Sequence, residues 1–359
     1  MQKLAMLVMA LAMVGGCKKK ENAAPKGEAP KAEPKPTETK PAETKPPVEA
    51  PKALTGEQRG ARYVECMGFW SAHDEAKFKT CLAPDGTIEI MDSGIPAASG
   101  DAGFAVVKAY WTGLTDVKVE PQIVLVSGTT VVSVDWVHGT HDGEFNGIPA
   151  TNKKVGYLMT HVVDTTEEGL ATKAQAFFDM STLLGQIGLN PAPHRPALEK
   201  GLVEKPVIIV AKDSPEETAN IAVAKAGVAG VNTHSLDAYT ASLSDDSMES
   251  DWTAPADIKG KADLGKHVKQ FFTALPDVKL DVGRTLAAGD YVVNVGKISG
   301  TNTGDMPEWG LKKTGKKIDV HYVEVMKVTG GKVAETWRFW NALAMATQLG
   351  LVPPPDAKK

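Results

Sequence analysis

Two ionisable side chains stand where strand-like runs would carry them into apolar surroundings. Asp179 follows Phe177 and Phe178 and shares a strand face with Phe177 and Gln175, while His161 lies in register with Tyr157, Met159 and Val163. A carboxylate in such a setting is desolvated, which raises its pKa toward the range a general base needs at neutral pH. A second reading of Asp179 is open: it stands immediately before Met180-Ser181-Thr182-Leu183-Leu184, where Asp is a favoured helix N-cap contributing about 1 kcal/mol. His161 can orient or protonate a ligand, or it can be a satisfied or edge-exposed strand residue.

The chain carries its own comparison, because it is a duplication. His234, Asp277 and Gly300 follow His73, Asp116 and Gly139 by 161 residues each, and Gln348 follows Gln186 by 162. Asp179 corresponds to Asn341, which caps a helix as well as Asp does but cannot take a proton. His161 corresponds to Glu324, between Tyr322 and Met326. The second copy therefore keeps what a cap requires at the Asp179 position and lacks what a base requires. His141 corresponds to Asn302, and in a Gly-rich connection either side chain can tie down its own backbone. His73 and His234 end the first helix of each copy, where they complement the helix dipole. The chain has no phosphate-binding glycine loop, no Gly-x-Ser-x-Gly elbow and no His-Glu-x-x-His helix. His73-Asp74 and His138-x-x-His141 are too sparse for a metal site, so no metal is expected.

The stretch Gly139-Thr140-His141-Asp142-Gly143-Glu144-Phe145-Asn146-Gly147-Ile148-Pro149-Ala150-Thr151-Asn152-Lys153-Lys154, with Gln186-Ile187-Gly188-Leu189 some thirty residues on, resembles the SnoaL-like polyketide cyclase (ester cyclase) family. A degraded copy recurs as Gly300-Thr301-Asn302-Thr303-Gly304 and Thr314-Gly315-Lys316-Lys317. The resemblance implies tandem α+β cone domains of the nuclear transport factor two type, in which helices and a curved, mostly antiparallel sheet enclose a deep apolar pocket. It further implies intramolecular aldol chemistry without a cofactor, with a carboxylate base near the end of the last strand, the place of Asp179. His161 is the second catalytic candidate; His141, Tyr157, Phe177, Asn341, Glu324 and Trp337 are pocket candidates. Related cones often dimerise through their sheets, so a homodimer or an intramolecular pairing of the two domains is expected.

The elements that must position these residues follow from pattern. Domain one, 54–190, opens with helical spacing through Ala61, Val64, Cys66, Met67, Phe69 and Trp70, then a short helix carrying Phe78 and Leu82 before the Pro84-Asp85-Gly86 break. Strands are expected at 87–91, 117–126, 130–136, 155–163 and 170–178, a helix at 104–110, and a closing helix at 181–187. Helices first and a run of long strands after them give an α+β unit. A proline-punctuated hinge, 191–212, leads to a divergent domain two, 213–353, and a tail, 354–359. Tryptophans 70, 111, 136, 252, 337 and 340 are expected mainly in the core.

The amino terminus gives a location. Met1-Gln2-Lys3, the apolar run from Leu4 to Val14 and then Gly15-Gly16-Cys17 read as a secretory signal, 1–17, because about eleven apolar residues are too few to cross a bilayer that needs about twenty. Val14-Gly15-Gly16-Cys17 resembles a bacterial lipobox, which implies lipidation of Cys17 and anchorage in the cell envelope. Residues 18–53, rich in Lys, Glu, Pro, Ala and Thr, cannot bury enough surface to fold and read as a tether. With nine lysines against six glutamates it is basic, so about −8 falls on the folded remainder of a chain whose net charge is −4. That balance argues against a nucleic-acid partner; the expected ligand, a small apolar molecule, is what the apolar pocket of the family resemblance implies. With Cys17 lipidated, Cys66 and Cys81 form an even pair in an oxidising compartment, where a disulfide is expected; two free thiols are the alternative.

Overall fold

The computed structural model describes residues 52–307 and 311–352. The expected signal with Cys17, nearly all of the expected tether and the tail lie outside the described residues.

Domain one begins with α1, Gly56–Ser71, whose first turn is held by a reciprocal cap: Gln58 N donates to Thr55 Oγ1 and Thr55 N donates to Gln58 Oε1. Its buried residues, Arg59, Tyr63, Cys66, Met67 and Trp70, recur at helical spacing and turn one stripe inward. After it come α2 (Glu75–Lys79), β1 (Leu82–Ile90), β2 (Ala98–Ser99), α3 (Gly100–Gly113), β3 (Lys118–Ser127), β4 (Thr130–Thr140), β5 (Lys154–Thr165), β6 (Ala171–Phe177) and α4 (Met180–Gln186). Leu82 belongs to β1 and not to the second helix. Pro84-Asp85-Gly86 does not end an element but forms an irregularity inside that strand, between the Leu82–Ala171 and Thr87–Lys173 pairs, where a missing ladder donor is tolerated.

Domain two repeats the order with α5 (Pro215–Asn232), α6 (Leu236–Ala241), β8 (Leu243–Asp251), β9 (Ile258–Lys259), α7 (Lys261–Ala274), β10 (Lys279–Ala288), β11 (Tyr291–Thr301), β12 (Lys317–Thr329), β13 (Lys332–Trp340) and α8 (Ala342–Gln348). With β7 at Val207–Val210, the sheets run β2-β1-β6-β5-β4-β3-β7 and β9-β8-β13-β12-β11-β10, the same order but for one strand. That strand, β7 (Val207–Val210), lies within the expected hinge and pairs in parallel with β3. The connection is thus part of the first sheet and covers an edge that would otherwise be open. Gly156 allows the same segment to cross β5: Leu198 N donates to Gly156 O, and a Cβ on Gly156 would lie 2.2 Å from Leu198 O.

Cys66 and Cys81 form a disulfide between α1 and the residue preceding β1. They close a loop with a sequence separation of 15 residues, for which loop entropy gives about 3 kcal/mol.

On each sheet one face looks to its own helices and the other to the partner domain. Val323, Val325, Trp337 and Phe339 of domain two share one buried cluster with Val132, Val134 and Leu158 of domain one. Polar links cross the same boundary. Arg284 Nη1 lies 2.6 Å from Asp164 Oδ1, Thr182 Oγ1 lies 2.9 Å from Trp252 O, and His321 N donates to Asp92 Oδ2 at 2.6 Å.

Candidate active site

Domain one encloses a cavity of about 120 Å³ between α1, α3 and the sheet. An engineered apolar core cavity of about 150 Å³ takes up benzene, so this volume suits a small ring or short chain. The wall is largely apolar, with Met67, Trp70, Phe78, Val107, Met159 and Phe178 among its residues, and both cysteines of the disulfide belong to it. Strand alternation decides who lines it: Tyr157, Met159, His161 and Val163 of β5 face in, as do Ala174 and Ala176 of β6 followed by Phe178.

Polar groups interrupt this wall in places, Arg59 and Thr165 among them, and one cluster is built around a buried carboxylate. Asp135 on β4 is fully buried, and its Oδ2 lies 2.7 Å from His161 Nδ1, 2.9 Å from the Tyr63 hydroxyl and 2.7 Å from Ser133 Oγ. An ionised carboxylate only accepts, so a neutral His161 carries its proton on Nδ1 and turns the lone pair of Nε2 outward from the pair. His161 itself is a cavity wall residue with a side chain 17% exposed. A carboxylate behind an imidazole fixes its tautomer and stabilises the imidazolium that forms on proton uptake. Tyr63 is held protonated: burial first, then the charge of Asp135, pushes its phenol well above the ordinary range. Asp135 escaped the sequence reading. Its signal was the alternation Val131-Ser133-Asp135-Val137, a polar pair on an otherwise apolar strand face.

Asp179 lies elsewhere. Its strand-face partners Gln175 and Phe177 sit on the side of β6 opposite Ala174, Ala176 and Phe178, so neither Phe177 nor Asp179 is among the cavity's lining residues. Asp179 caps α4: Ser181 N donates to Oδ1, and Thr182 N and Oγ1 donate to Oδ2. A fourth donor comes from the other domain, Ala342 N at the start of α8, 3.0 Å from Oδ1. Burial outweighs these donors and pushes the carboxyl up to about 6. Asn341 caps α8 in the same way, accepting from Leu343 N, while its Nδ2 donates to Asp92 O of domain one. The two caps are thus a pair at the domain boundary.

The remaining candidates divide between loop, boundary and filler. His141 is buried and accepts from Thr151 N through Nδ1, as Asn302 accepts from Thr314 N through Oδ1; each pins its own connection. Trp337 packs in the cluster shared by the domains. Glu324 takes the place of His161 inside domain two, but there it meets Arg338 at 3.1 Å and Asn294 at 2.9 Å. Arg338 also holds Glu249 at 2.6 Å. Strand pairing equates Arg338 with Ala176 and Glu249 with Ile88, two wall residues of the first cavity. An ion triad therefore occupies domain two where domain one is open, and a cavity of about 50 Å³ remains. The position of Asp135 is taken by Gly296, where a Cβ would meet Asp281 O at 2.2 Å, so the neighbouring strand excludes any side chain.

The SnoaL-like polyketide cyclase family model matches residues 62–187 and 221–349. The chain belongs to that family and carries two copies of its domain, each an α+β unit. Among solved structures it is similar to AclR from Streptomyces galilaeus, with 26% identity, 38% of this chain and 99% of that chain covered, and a TM-score of 0.35. It is also similar to a SnoaL-like polyketide cyclase from Jannaschia sp. CCS1, with 21% identity, 39% and 97% covered, and a TM-score of 0.36. A polyketide cyclase from Bacillus cereus ATCC 10987 matches at 23% identity, with 39% and 86% covered and a TM-score of 0.32. Among curated proteins none matches.

Proposed function

We propose that domain one binds a small apolar molecule and carries out cofactor-independent acid/base chemistry on it, with His161 as the base and Asp135 positioning it. The observation that carries this reading is an imidazole on the wall of a largely apolar cavity, with Nδ1 against a buried carboxylate. Tyr63 and Ser133 complete the support, because each holds the oxygen of Asp135 that meets the imidazole. Domain two, filled by its own ions, has a structural part: it covers the outer face of the first sheet and fixes the α4 cap.

Mass spectrometry of molecules that co-purify with the full chain identifies the ligand class, and its turnover is then compared in wild type and His161→Gln. Loss by a factor of about 100 to 10,000, the usual contribution of a positioned base, is expected. Turnover unchanged in His161→Gln would remove the imidazole from the chemistry.

The location we propose is the bacterial cell envelope, on an anchor at Cys17. The charged start, the short apolar run, the small residues before the cysteine and the tether behind it all favour that reading. Cys17→Ser should move the protein from the membrane to the soluble fraction; a processed variant that stays membrane-bound would sink the anchor.

A further inference from the structure

The cavity of domain one holds a second polar feature that acid/base chemistry at His161 does not use. Tyr110 of α3 and Tyr157 of β5 both line it. The Tyr110 hydroxyl is buried with no hydrogen-bond partner. Each ring packs on Phe178, Tyr157 stacked at 5.5 Å between centroids and Tyr110 edge-on at 6.4 Å, so both phenols belong to the side of the cavity that Phe178 forms. They are close enough to influence each other: burial raises the Tyr110 phenol well above its ordinary range, and Tyr157 raises it further. Burial alone raises Tyr157, so at neutral pH both are O–H donors. A buried hydroxyl without a partner costs about 1–3 kcal/mol, which a hydrogen-bond acceptor on a ligand would recover.

Domain two offers a comparison at these two positions. The residue 161 positions after Tyr110 is Phe271, and strand pairing sets Val320, opposite Ile298, where Tyr157 stands opposite Val137. The copy that lost the His161–Asp135 pair and filled its interior with an ion triad has lost both hydroxyls too.

We propose that Tyr110 and Tyr157 receive an acceptor oxygen of the ligand, so that the cavity selects small cyclic or aromatic carbonyl compounds over hydrocarbons of the same shape. The inference rests on domain one being a ligand site. Two donors on a carbonyl oxygen would also stabilise the oxyanion that forms when a base removes a neighbouring proton, which is the step His161 is placed to assist.

The test uses the full chain and two isosteric probes, cyclohexanone and methylenecyclohexane, with affinities read by NMR shifts of the cavity methionines. A donor-free apolar cavity would favour the hydrocarbon, because a carbonyl gives up its own hydration on entry. Wild type should instead bind the ketone about 10-fold more tightly, roughly one well-formed hydrogen bond. Tyr110→Phe with Tyr157→Phe should abolish that preference and leave hydrocarbon affinity within about twofold. Equal binding of the two probes by wild type, or a preference that survives in the double variant, overturns the proposal while leaving the ligand site intact. If neither probe binds, the ligand-site reading falls and this one falls with it.

Discussion

Arg338→Met should destabilise domain two by about 3–5 kcal/mol, the usual cost of leaving buried charge without its partner. The variant strands two carboxylates. Glu249 and Glu324 are 3% and 5% exposed, at 2.6 and 3.1 Å from the guanidinium, and burial already raises the Glu249 pKa before Arg338 lowers it. Asn294 alone cannot replace the cation, since it offers one donor to one oxygen of Glu324. Replacing all three charges by apolar residues, Arg338→Met with Glu249→Leu and Glu324→Leu, should recover most of the loss, because no ion then remains to be desolvated. Urea unfolding at pH 7 reads both variants. A cost below about 1 kcal/mol for Arg338→Met alone would mean that the triad is solvated, and domain two would then be no more filled than domain one.

The second large effect is pH dependent and belongs to Asp179. Its carboxyl moves from 3.8 in the unfolded chain to about 6 in the folded protein. Between those values the native state holds the proton more tightly, so stability from this group is greatest below about pH 4 and falls as pH rises through about 6. A shift of roughly two units corresponds to about 3 kcal/mol. Asp179→Asn should erase that slope, and NMR titration of wild type should place the ionisation near 6. A value at or below the reference of about 3.9 would show that the four donors, and not burial, govern the group. The same variant separates two chemistries. If His161 is the base, Asp179→Asn keeps turnover within a few fold; a loss as large as that of His161→Gln would return the base to the cap position that the family resemblance implies.

The duplication, the helices-then-strands order of each copy and the capping position of Asp179 were legible in one dimension because each leaves a local mark; the cone shape came with the family resemblance. An offset that stays within 161 to 163 residues needs no coordinates. A capping residue sits at a set distance from the helix it starts, and Thr55 and Ser214 show the same economy at α1 and α5. Alternation likewise grouped Tyr157 with His161, and Asp179 with Phe177, as residues sharing a face. Alternation has no sign, however. It says which residues share a side of a strand and never which side holds the cavity, so Asp179 and Phe177 were grouped correctly and expected on the wrong side. The hinge shows a related gap: Val207–Val210 becomes a strand only because β3 presents an open edge, and such pairing depends on a partner about 80 residues away.

What tertiary structure alone decided is the difference between the two copies. Ile88 and Ala176 in one, Glu249 and Arg338 in the other, are single changes on separate strands, each unremarkable where it stands. Only parallel pairing of the first strand with the last brings them side by side, so that one interior stays open around His161 and the other closes on its own charges.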